Sequence, residues 1–265
     1  MLAAGLYRQA RRSGVTIRKT LDCLIAAPCV RSGSSLLHDD HDFDLLASCT
    51  GLISGSRTYP ACVHVRWVAE TPSTQDLARD LPVGSCVVTD HQTKGRGRRD
   101  RRWETPPGTA LLASFVLPSR RLLSLASGVA AAAACGPAVR LKWPNDVLLD
   151  GAKVGGILIE QRGVSGIVGI GINLTWAPPG AAALGMDRDE LLGRLSDQLE
   201  RWASTTDEAV LDRWRARSDT LGRWVRVEMT NEVLEGVAEG VAGDGALIVA
   251  GRRVVAGDVV HVRPG

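Results

Sequence analysis

The sequence predicts a mixed α/β fold, of the α+β kind, with a small all-β domain at its C-terminal end. Strand-like and helix-like segments alternate between Cys62 and Leu174, two amphipathic helices follow, and Gly222–Arg263 is a run of short strands separated by turn residues. A chain of 265 residues is long enough for one good-sized domain and a small one. We therefore predict three zones, at residues 1–60, 61–220 and 221–265.

The composition is that of an ordinary globular protein. Hydrophobic residues make up 45% and charged residues 23%, and a net charge of +3 does not by itself favour a nucleic-acid or membrane surface. None of the six cysteines forms a C-x-x-C pair, which favours reduced thiols and a cytoplasmic location. The most apolar stretch, Leu122–Val139, is interrupted by serine and glycine, so it predicts a buried helix rather than a membrane span.

Local patterns predict the elements of the central zone. Alternation predicts a strand at Val63–Val68, and Pro72 followed by Ser73, a good N-cap residue, predicts a short helix that runs to Leu81. The Asp150-Gly151 turn between two apolar runs predicts a hairpin. The other predicted strands are Cys86–Thr89, Ala110–Val116, Val139–Lys142, Asp146–Leu149, Val154–Glu160 and Gly166–Leu174. The other predicted helices are Leu122–Cys135, Arg188–Ala203 and Asp207–Arg217.

The C-terminal zone consists of short apolar runs separated by turn residues such as Gly243-Asp244-Gly245. So many strands in so short a segment predict a small closed barrel. The predicted strands are Trp224–Glu228, Val233–Glu239, Ala246–Val249, Val254–Val255 and Val259–Val262.

The polar loop Gln92–Trp103, here called the arginine loop, alternates glycine with arginine. Glycine lets the backbone approach a ligand closely, and guanidinium groups donate in pairs to phosphate or carboxylate oxygens. Because its like charges repel one another, we expect the loop to become ordered when an anion binds. A solvated basic loop or a nonspecific RNA-binding patch is the plainer interpretation of this segment alone.

Two lysine motifs lie further along the chain. Lys142–Asp146 places a cation, a rigid proline turn and a carboxylate at a strand end, where Lys142 can neutralise a phosphate and Asp146 can hold Mg²⁺. Lys153–Glu160 places an ammonium group at the start of an apolar strand, beside two glycines. Taken singly, the first is more often a surface salt bridge and the second an ordinary hairpin lysine.

The last motif is Gly169–Asn173, in a predicted strand. Its glycines do not predict a dinucleotide-binding loop, because Trp176 and two prolines follow and leave no helix N-terminus for a pyrophosphate. Glycines inside a strand are expected to let a flat ligand lie against the sheet, with Asn173 contacting the edge of a base.

In this order, the motifs resemble the biotin–protein ligase family from Val63 to the C-terminus. The hallmarks are Ser73-Thr74-Gln75, Gln92 with Gly95–Arg98, Lys142–Asp146, Lys153 with Gly155–Ile157, and Gly169–Asn173. The resemblance implies a class II synthetase-like mixed sheet with flanking helices and a small C-terminal SH3-like barrel. It also implies an ATP-dependent enzyme that forms biotinyl-5′-AMP, releases pyrophosphate and transfers biotin to a lysine of a biotin carboxyl carrier protein. Acetyl-CoA or pyruvate carboxylase would supply that carrier, and the reaction would use Mg²⁺.

The resemblance also implies roles for single residues. Lys153 and Arg98 would be catalytic, and Asp146 would lie near Mg²⁺. The residues implied for biotin are Ser73, Thr74, Gln75, Gln92, Arg96, Gly97, Arg98, Lys153 and Gly156. The residues implied for ATP are Arg96, Arg98, Arg101, Trp103, Lys142 and Asn173. The chain departs from the family at Asp100, where glycine is frequent, and at Ala182-Ala183, where hydroxyl residues are usual.

The N-terminal zone matches neither the ligase domain nor the DNA-binding domain that many bacterial relatives carry, so a monofunctional enzyme with no DNA partner is expected. Residues 14–43 instead resemble a C-terminal fragment of a PIN-domain toxin ribonuclease, in which Asp22 and one of Asp40 or Asp42 would help bind metal. Only thirteen residues precede Gly14, too few for the first strand of that domain and its acidic residues. We therefore expect an inactive, poorly ordered remnant and a linker within residues 1–60.

Two alternatives remain at this stage. A lipoate–protein ligase would share the fold and would also adenylate a short-chain acid, but the arginine loop together with Lys142–Asp146 favours biotin. A PIN-type ribonuclease or RNA-binding protein would depend on residues 14–43 and the arginine loop.

Overall fold

The computed structural model describes residues 2–17, 19–33, 35–38, 41–56 and 64–261. The chain divides into two compact units, Met1–Thr58 and Tyr59–Gly265. The division lies within two residues of the predicted end of the N-terminal zone. The expected strand at Val63–Val68 begins at His64 among the described residues, since Val63 lies outside them.

The N-terminal unit has its own cluster of buried side chains, contrary to our expectation that this segment cannot cover a core. The residues before Gly14 form a helix that contributes Leu6 and Ala10 to the cluster, where they join side chains such as Leu46. The elements are α1 (Leu2–Arg12), α2 (Thr20–Ser32), β1 (Ser35–His38), α3 (His41–Cys49) and β2 (Ile53–Ser56). Strand β2 pairs in parallel with β1 and lies within the stretch predicted to be a linker.

Two carboxylates of the PIN-like segment, Asp22 and Asp42, are buried in this unit. The third, Asp40, lies outside the described residues. Within the described part of the chain, no group of three or more histidine, cysteine or acidic residues is close enough to hold a metal ion.

The second unit is built on a seven-stranded mixed sheet of order β3-β4-β5-β9-β8-β7-β6. Strands β3 and β4 are parallel and every other pairing is antiparallel. The strands are β3 (His64–Thr71), β4 (Ser85–Gln92), β5 (Ala110–Pro118), β6 (Arg140–Lys142), β7 (Asp146–Leu149), β8 (Ala152–Arg162) and β9 (Ser165–Asn173). Because β5 and β9 are central and mostly buried, the motifs at their ends and on the neighbouring β8 are held on a rigid frame.

Three long helices are packed around this sheet in one hydrophobic core. Helix α5 (Leu123–Cys135) is buried along almost its whole length, as its alanine-rich sequence predicts. Helices α6 (Arg188–Ala203) and α7 (Asp207–Arg217) have the predicted bounds, and each begins at an N-cap side chain, Asp187 and Thr206 respectively. None of the described helices combines the length and the apolar character that crossing a membrane requires.

The short helix α4 (Thr74–Ala78) ends three residues before the predicted end at Leu81. Leu81 precedes Pro82, and a residue before proline is disfavoured in the α conformation, so the chain leaves the helix early. Ser73 occupies the N-cap position with extended backbone, but its side chain makes no capping bond.

The C-terminal domain is a five-stranded antiparallel sheet of order β13-β12-β11-β10-β14. Its strands are β10 (Trp224–Glu228), β11 (Val233–Val241), β12 (Leu247–Val249), β13 (Arg252–Val254) and β14 (Asp258–His261). Buried valines on β10 and β12, among them Val225 and Val249, belong to the same hydrophobic core as the main sheet. This domain, here called the C-terminal sheet, is therefore packed onto the larger domain.

Candidate active site

A cavity of about 290 Å³ lies where one face of the main sheet, the arginine loop and the C-terminal sheet meet. Of the fourteen residues singled out from the sequence, all except Asn173 line it. The residues that do so are Ser73, Thr74, Gln75, Gln92, Arg96, Gly97, Arg98, Arg101, Trp103, Lys142, Asp146, Lys153 and Gly156. These residues come from four separate motifs, and Gly169 and Gly171 of the fifth motif also line the cavity.

One wall of the cavity is neutral and polar. The backbone N–H of Thr74 donates to Oε1 of Gln92 at 2.8 Å, and the Thr74 hydroxyl lies 2.7 Å from that of Ser114, a buried residue of β5 that the sequence analysis missed. Ser73 Oγ and Gln75 Oε1 are buried and have no hydrogen-bond partner among the described residues. Unpaired buried polar atoms are costly, so this wall is suited to a neutral ligand that hydrogen-bonds to them.

Trp103 occupies the position where we expected a flat ligand to lie on the strand glycines. A Cβ added to Gly171 would lie 2.7 Å from Cε2 of the indole, and one added to Gly156 would lie 3.6 Å from its Cζ3. In the same way, the side chain of Gln75 fills the space in front of Gly169. We had expected a ligand against the glycines of this strand. Instead, Gly171 makes room for the side chain of Trp103 and Gly169 for that of Gln75.

The structure places Asn173 outside the cavity. Its Nδ2 donates to the carbonyl oxygen of Ala182 at 3.1 Å, and its own carbonyl accepts from the N–H of Leu184 at 2.9 Å. Its Oδ1 is buried and has no partner within the described part of the chain. The residue therefore anchors the loop that follows β9, the segment in which Ala182-Ala183 departs from the family pattern.

Two lysines supply positive charge on the side of the cavity formed by β6, β7 and β8. Nζ of Lys153 lies 2.6 Å from Oδ1 of Asp146 and 5.8 Å from the centre of the Trp103 ring. Burial lowers the pKa of Lys142, and the nearby carboxylate of Asp146 acts in the opposite direction. Lys142 and Lys153, which belong to different motifs, both line the cavity.

The guanidinium of Arg96 lies on the opposite side of the cavity, between two carboxylates. Its Nη2 lies 3.0 Å from Asp76 Oδ1 and 3.0 Å from Glu160 Oε1. The sequence predicted neither contact, although Glu160 ends the Lys153–Glu160 motif. These two charge-assisted contacts hold the Arg96 guanidinium in place.

Arg98 lies closer to the C-terminal sheet. Its Nη1 donates to Oδ1 of Asn145 at 3.4 Å and to the carbonyl oxygen of Gly257 at 3.2 Å. Asn145 in turn donates to the carbonyl oxygen of Ile157 at 2.8 Å, so it links the arginine loop to β8. The sequence analysis gave Asn145 no role of its own, although it lies within the Lys142–Asp146 motif.

Asp146 is a single carboxylate in the cavity wall. Mg²⁺ bound with a nucleotide usually takes one or two carboxylates and completes its shell with phosphate oxygens and water. The single carboxylate of Asp146 in the cavity wall fits that arrangement. Its Oδ1 contacts Lys153. The donor set therefore fits a metal that enters with ATP.

Comparison with known proteins agrees with this geometry. Residues 67–175 match the biotin/lipoate A/B protein ligase family, and residues 220–262 match the biotin protein ligase C-terminal domain. A biotin–[acetyl-CoA-carboxylase] ligase of Paracoccus denitrificans is 36% identical over 230 residues, which cover 71% of this chain and 96% of that protein. A ligase of the same name from Mycobacterium tuberculosis is 35% identical over 74% of this chain and 88% of its own length.

The fold is also that of solved ligases. The structure of the Aquifex aeolicus biotin protein ligase in complex with biotin and ATP is similar with a TM-score of 0.65 and 27% identity, over 76% of this chain and 99% of that one. The two family matches together cover residues of both the main sheet and the C-terminal sheet. The chain belongs to the biotin protein ligase family.

Proposed function

We propose that this protein joins biotin to ATP, giving biotinyl-5′-AMP and pyrophosphate, and then transfers biotin to a lysine of a biotin carboxyl carrier protein. The observation that carries the proposal is the convergence of Lys153, Arg96 and Arg98 on one cavity whose other wall presents unpaired neutral polar atoms. Two relatives that this chain matches over 96% and 88% of their length are named biotin–[acetyl-CoA-carboxylase] ligases. We therefore propose that the protein substrate is the carrier of acetyl-CoA carboxylase. Pyruvate carboxylase remains a second source of the carrier.

The neutral wall is suited to the ureido ring of biotin. Ser73 Oγ and Gln75 Oε1 are free to bond with its oxygen and N–H groups, and the Thr74–Gln92 pair fixes the edge of the pocket. Trp103 provides an apolar surface beside them for the valeryl chain. Such a pocket selects a compact, hydrogen-bonding head group, which lipoate lacks.

The charged side supports formation of the adenylate. The biotin carboxylate attacks the α-phosphorus of ATP, a bond forms between them, and pyrophosphate leaves with the electron pair of the broken P–O bond. Because two anions approach each other, the step needs fixed positive charge around the reacting atoms. We assign Lys153 to the carboxylate and the developing anhydride, and Lys142, Arg98 and Arg101 to the phosphates. Mg²⁺ held by Asp146 would neutralise part of the phosphate charge.

In the second step the carrier lysine amine attacks the carbonyl carbon of the mixed anhydride. AMP leaves, and the new amide bond retains biotin. The arginine loop covers the adenylate until the carrier arrives, which keeps water from the anhydride. We propose that Arg98 is the main residue that holds the arginine loop closed, because its guanidinium donates hydrogen bonds to both Asn145 and Gly257.

Exchange of labelled pyrophosphate into ATP tests the first step and separates biotin from lipoate. We expect exchange that depends on biotin and is not supported by lipoate. Exchange that requires lipoate would replace the proposal with a lipoate–protein ligase. The expectation that this chain does not act on DNA stays a prediction, which a binding assay on the full chain tests.

A further inference from the structure

Asp258, the first residue of β14 in the C-terminal sheet, gathers three arginines of the arginine loop around one carboxylate. Its Oδ2 contacts Arg101 Nη2 and lies 3.4 Å from Arg99 Nη1, while its Oδ1 lies 3.8 Å from Arg98 Nη1. The side chain of Asp258 is only 15% exposed. None of the sequence motifs pointed to this residue.

Backbone carbonyls of the C-terminal sheet surround the same cluster. Arg99 Nη2 donates to the carbonyl oxygen of Glu228 at 2.8 Å, and Arg98 Nη1 donates to that of Gly257. The arginine loop is thus fastened to the C-terminal sheet at several points, with Asp258 as the common acceptor. Asp258 and Glu228 both line the cavity, so the fastening lies at its rim.

The charges in this cluster do not balance. One carboxylate faces three guanidinium groups, so most of the positive charge remains available to another anion. Burial lowers the pKa of Arg98, and the carboxylate of Asp258 is the first of the charges that oppose this effect. A partly buried carboxylate in such a position does more than an exposed surface ion pair, whose contribution is usually close to zero.

We propose that Asp258 is a positioning residue that holds the arginine loop over the cavity before nucleotide binds and yields its arginines to the phosphate oxygens of ATP. The proposal rests on the ligase function given above. A loop of like charges repels itself and needs a counter-charge to be ordered. Asp258 supplies that counter-charge from within the protein, so ATP meets a loop that is already in place.

Replacing Asp258 with asparagine tests this, because Asp258→Asn keeps the size of the side chain and removes its charge. Trypsin cleaves after lysine and arginine, so cuts between Lys94 and Arg102 report the opening of the loop. Without substrates, we expect these cuts about tenfold faster in the variant, since proteolysis follows the population of the opened segment. Biotin with ATP should restore the protection seen in the unchanged protein.

Steady-state kinetics distinguish a positioning role of Asp258 from a purely structural one. In Asp258→Asn we expect the KM for ATP to rise several-fold while kcat stays near that of the unchanged protein. The reason is that bound ATP supplies the missing counter-charge itself. Equal loop cleavage in the two proteins, or a fall in kcat with KM unchanged, would overturn the proposal.

Two further variants keep the test sharp. Glu232→Gln removes a carboxylate that pairs with Arg252 in the same C-terminal sheet, at 2.8 Å, and should behave like the unchanged protein in both assays. Arg99→Gln removes a partner of Asp258 from the loop side and should also speed loop cleavage. The double variant should be no worse than Asp258→Asn alone, because both changes break the same contact.

The outcomes separate this proposal from the function on which it rests. If Asp258→Asn is cut along the whole chain, its fold is damaged and Arg99→Gln decides: loop cleavage at the normal rate in Arg99→Gln overturns the proposal. If the unchanged protein makes no biotinyl-5′-AMP, the proposed function fails. Loop cleavage in the absence of substrates would still show whether Asp258 holds the loop.

Discussion

The indole of Trp103 lies directly against Gly171, so closely that a Cβ on that glycine would be 2.7 Å from Cε2 and 2.9 Å from Nε1 of the ring. Trp103 ends the arginine loop, and Gly171 lies on β9 in the middle of the main sheet. The backbone N–H of Trp103 donates to the carbonyl oxygen of Gly95 at 3.0 Å, so the indole and the loop backbone are fixed together. This contact sets both the floor of the cavity and the position of the loop.

Gly171→Ala should therefore push the indole into the cavity. Overpacking of this kind costs about 1–3 kcal/mol, and if biotin binding requires the original packing this corresponds to a loss of roughly 5- to 150-fold in affinity. Isothermal titration with biotin measures the loss. Gly243→Ala is the matched control, because a Cβ at that exposed turn meets nothing within 4 Å. Equal biotin affinity in the two variants would show that Trp103 does not form the floor of the biotin pocket.

Lys153→Gln should slow adenylate formation by about 100-fold or more, as loss of an electrostatic stabiliser in an active site usually does. The change removes the ammonium that lies 2.6 Å from Asp146 and faces the cavity. Pyrophosphate exchange measures the effect. Lys94→Gln removes the same charge from an exposed position in the arginine loop and should leave exchange unchanged. Normal exchange in Lys153→Gln would remove Lys153 from the mechanism.

Arg98→Gly should release the reactive adenylate. The change removes the bonds from the loop to Asn145 and Gly257 and adds backbone freedom, so we expect biotin on many lysines of any protein present. Blotting for biotin after incubation with bovine serum albumin measures this. Arg102→Gly is the control: it introduces glycine into the same loop at an arginine whose side chain is 78% exposed. This variant should label only the carrier. Strict carrier labelling by Arg98→Gly would contradict the role of Arg98 as a fastening.

Removal of the first 58 residues should leave ligase activity unchanged. All the cavity residues and both family matches lie beyond that point, in the second compact unit. The rate of biotin transfer by a protein beginning at Tyr59, compared with the full chain, measures the effect. A large fall in rate, with the shortened protein still folded by circular dichroism, would mean that the N-terminal unit takes part in the reaction.

The main fold could be predicted because its patterns are local. Helices α6 and α7 and strands β7 and β10 have the predicted bounds, since N-cap residues and turns mark their ends in the sequence. The early end of α4 at Ala78 was not predicted. Pro82 disfavours the helical conformation of the preceding residue, Leu81, and we did not include this effect when we predicted a helix to Leu81. The buried cluster of the N-terminal unit was not predicted, because α1 contributes Leu6 and Ala10 to it from outside residues 14–43, on which the resemblance was based.

The site was predictable in its residues but not in its contacts. Motifs identified the cations, and the structure brings Arg96, Lys142 and Lys153 to one cavity. The ion pairs of the arginines could not be predicted: Glu160, at the end of the Lys153 motif, contacts Arg96, and Asp258, which belongs to no motif, contacts Arg99. The packing of Trp103 onto Gly171 is likewise a tertiary contact, and the sequence alone suggested a ligand in its place.

The most direct test of the account is the transfer of labelled biotin to a purified carrier domain of acetyl-CoA carboxylase, with and without ATP. Cations from the arginine loop and from β8 surround one cavity, so the protein should join an acid to a nucleotide before it modifies the carrier. We predict label on the carrier only when ATP is present, and none on a carrier whose acceptor lysine is changed to arginine. A carrier that stays unlabelled with ATP, while a known ligase labels it in parallel, would contradict the account.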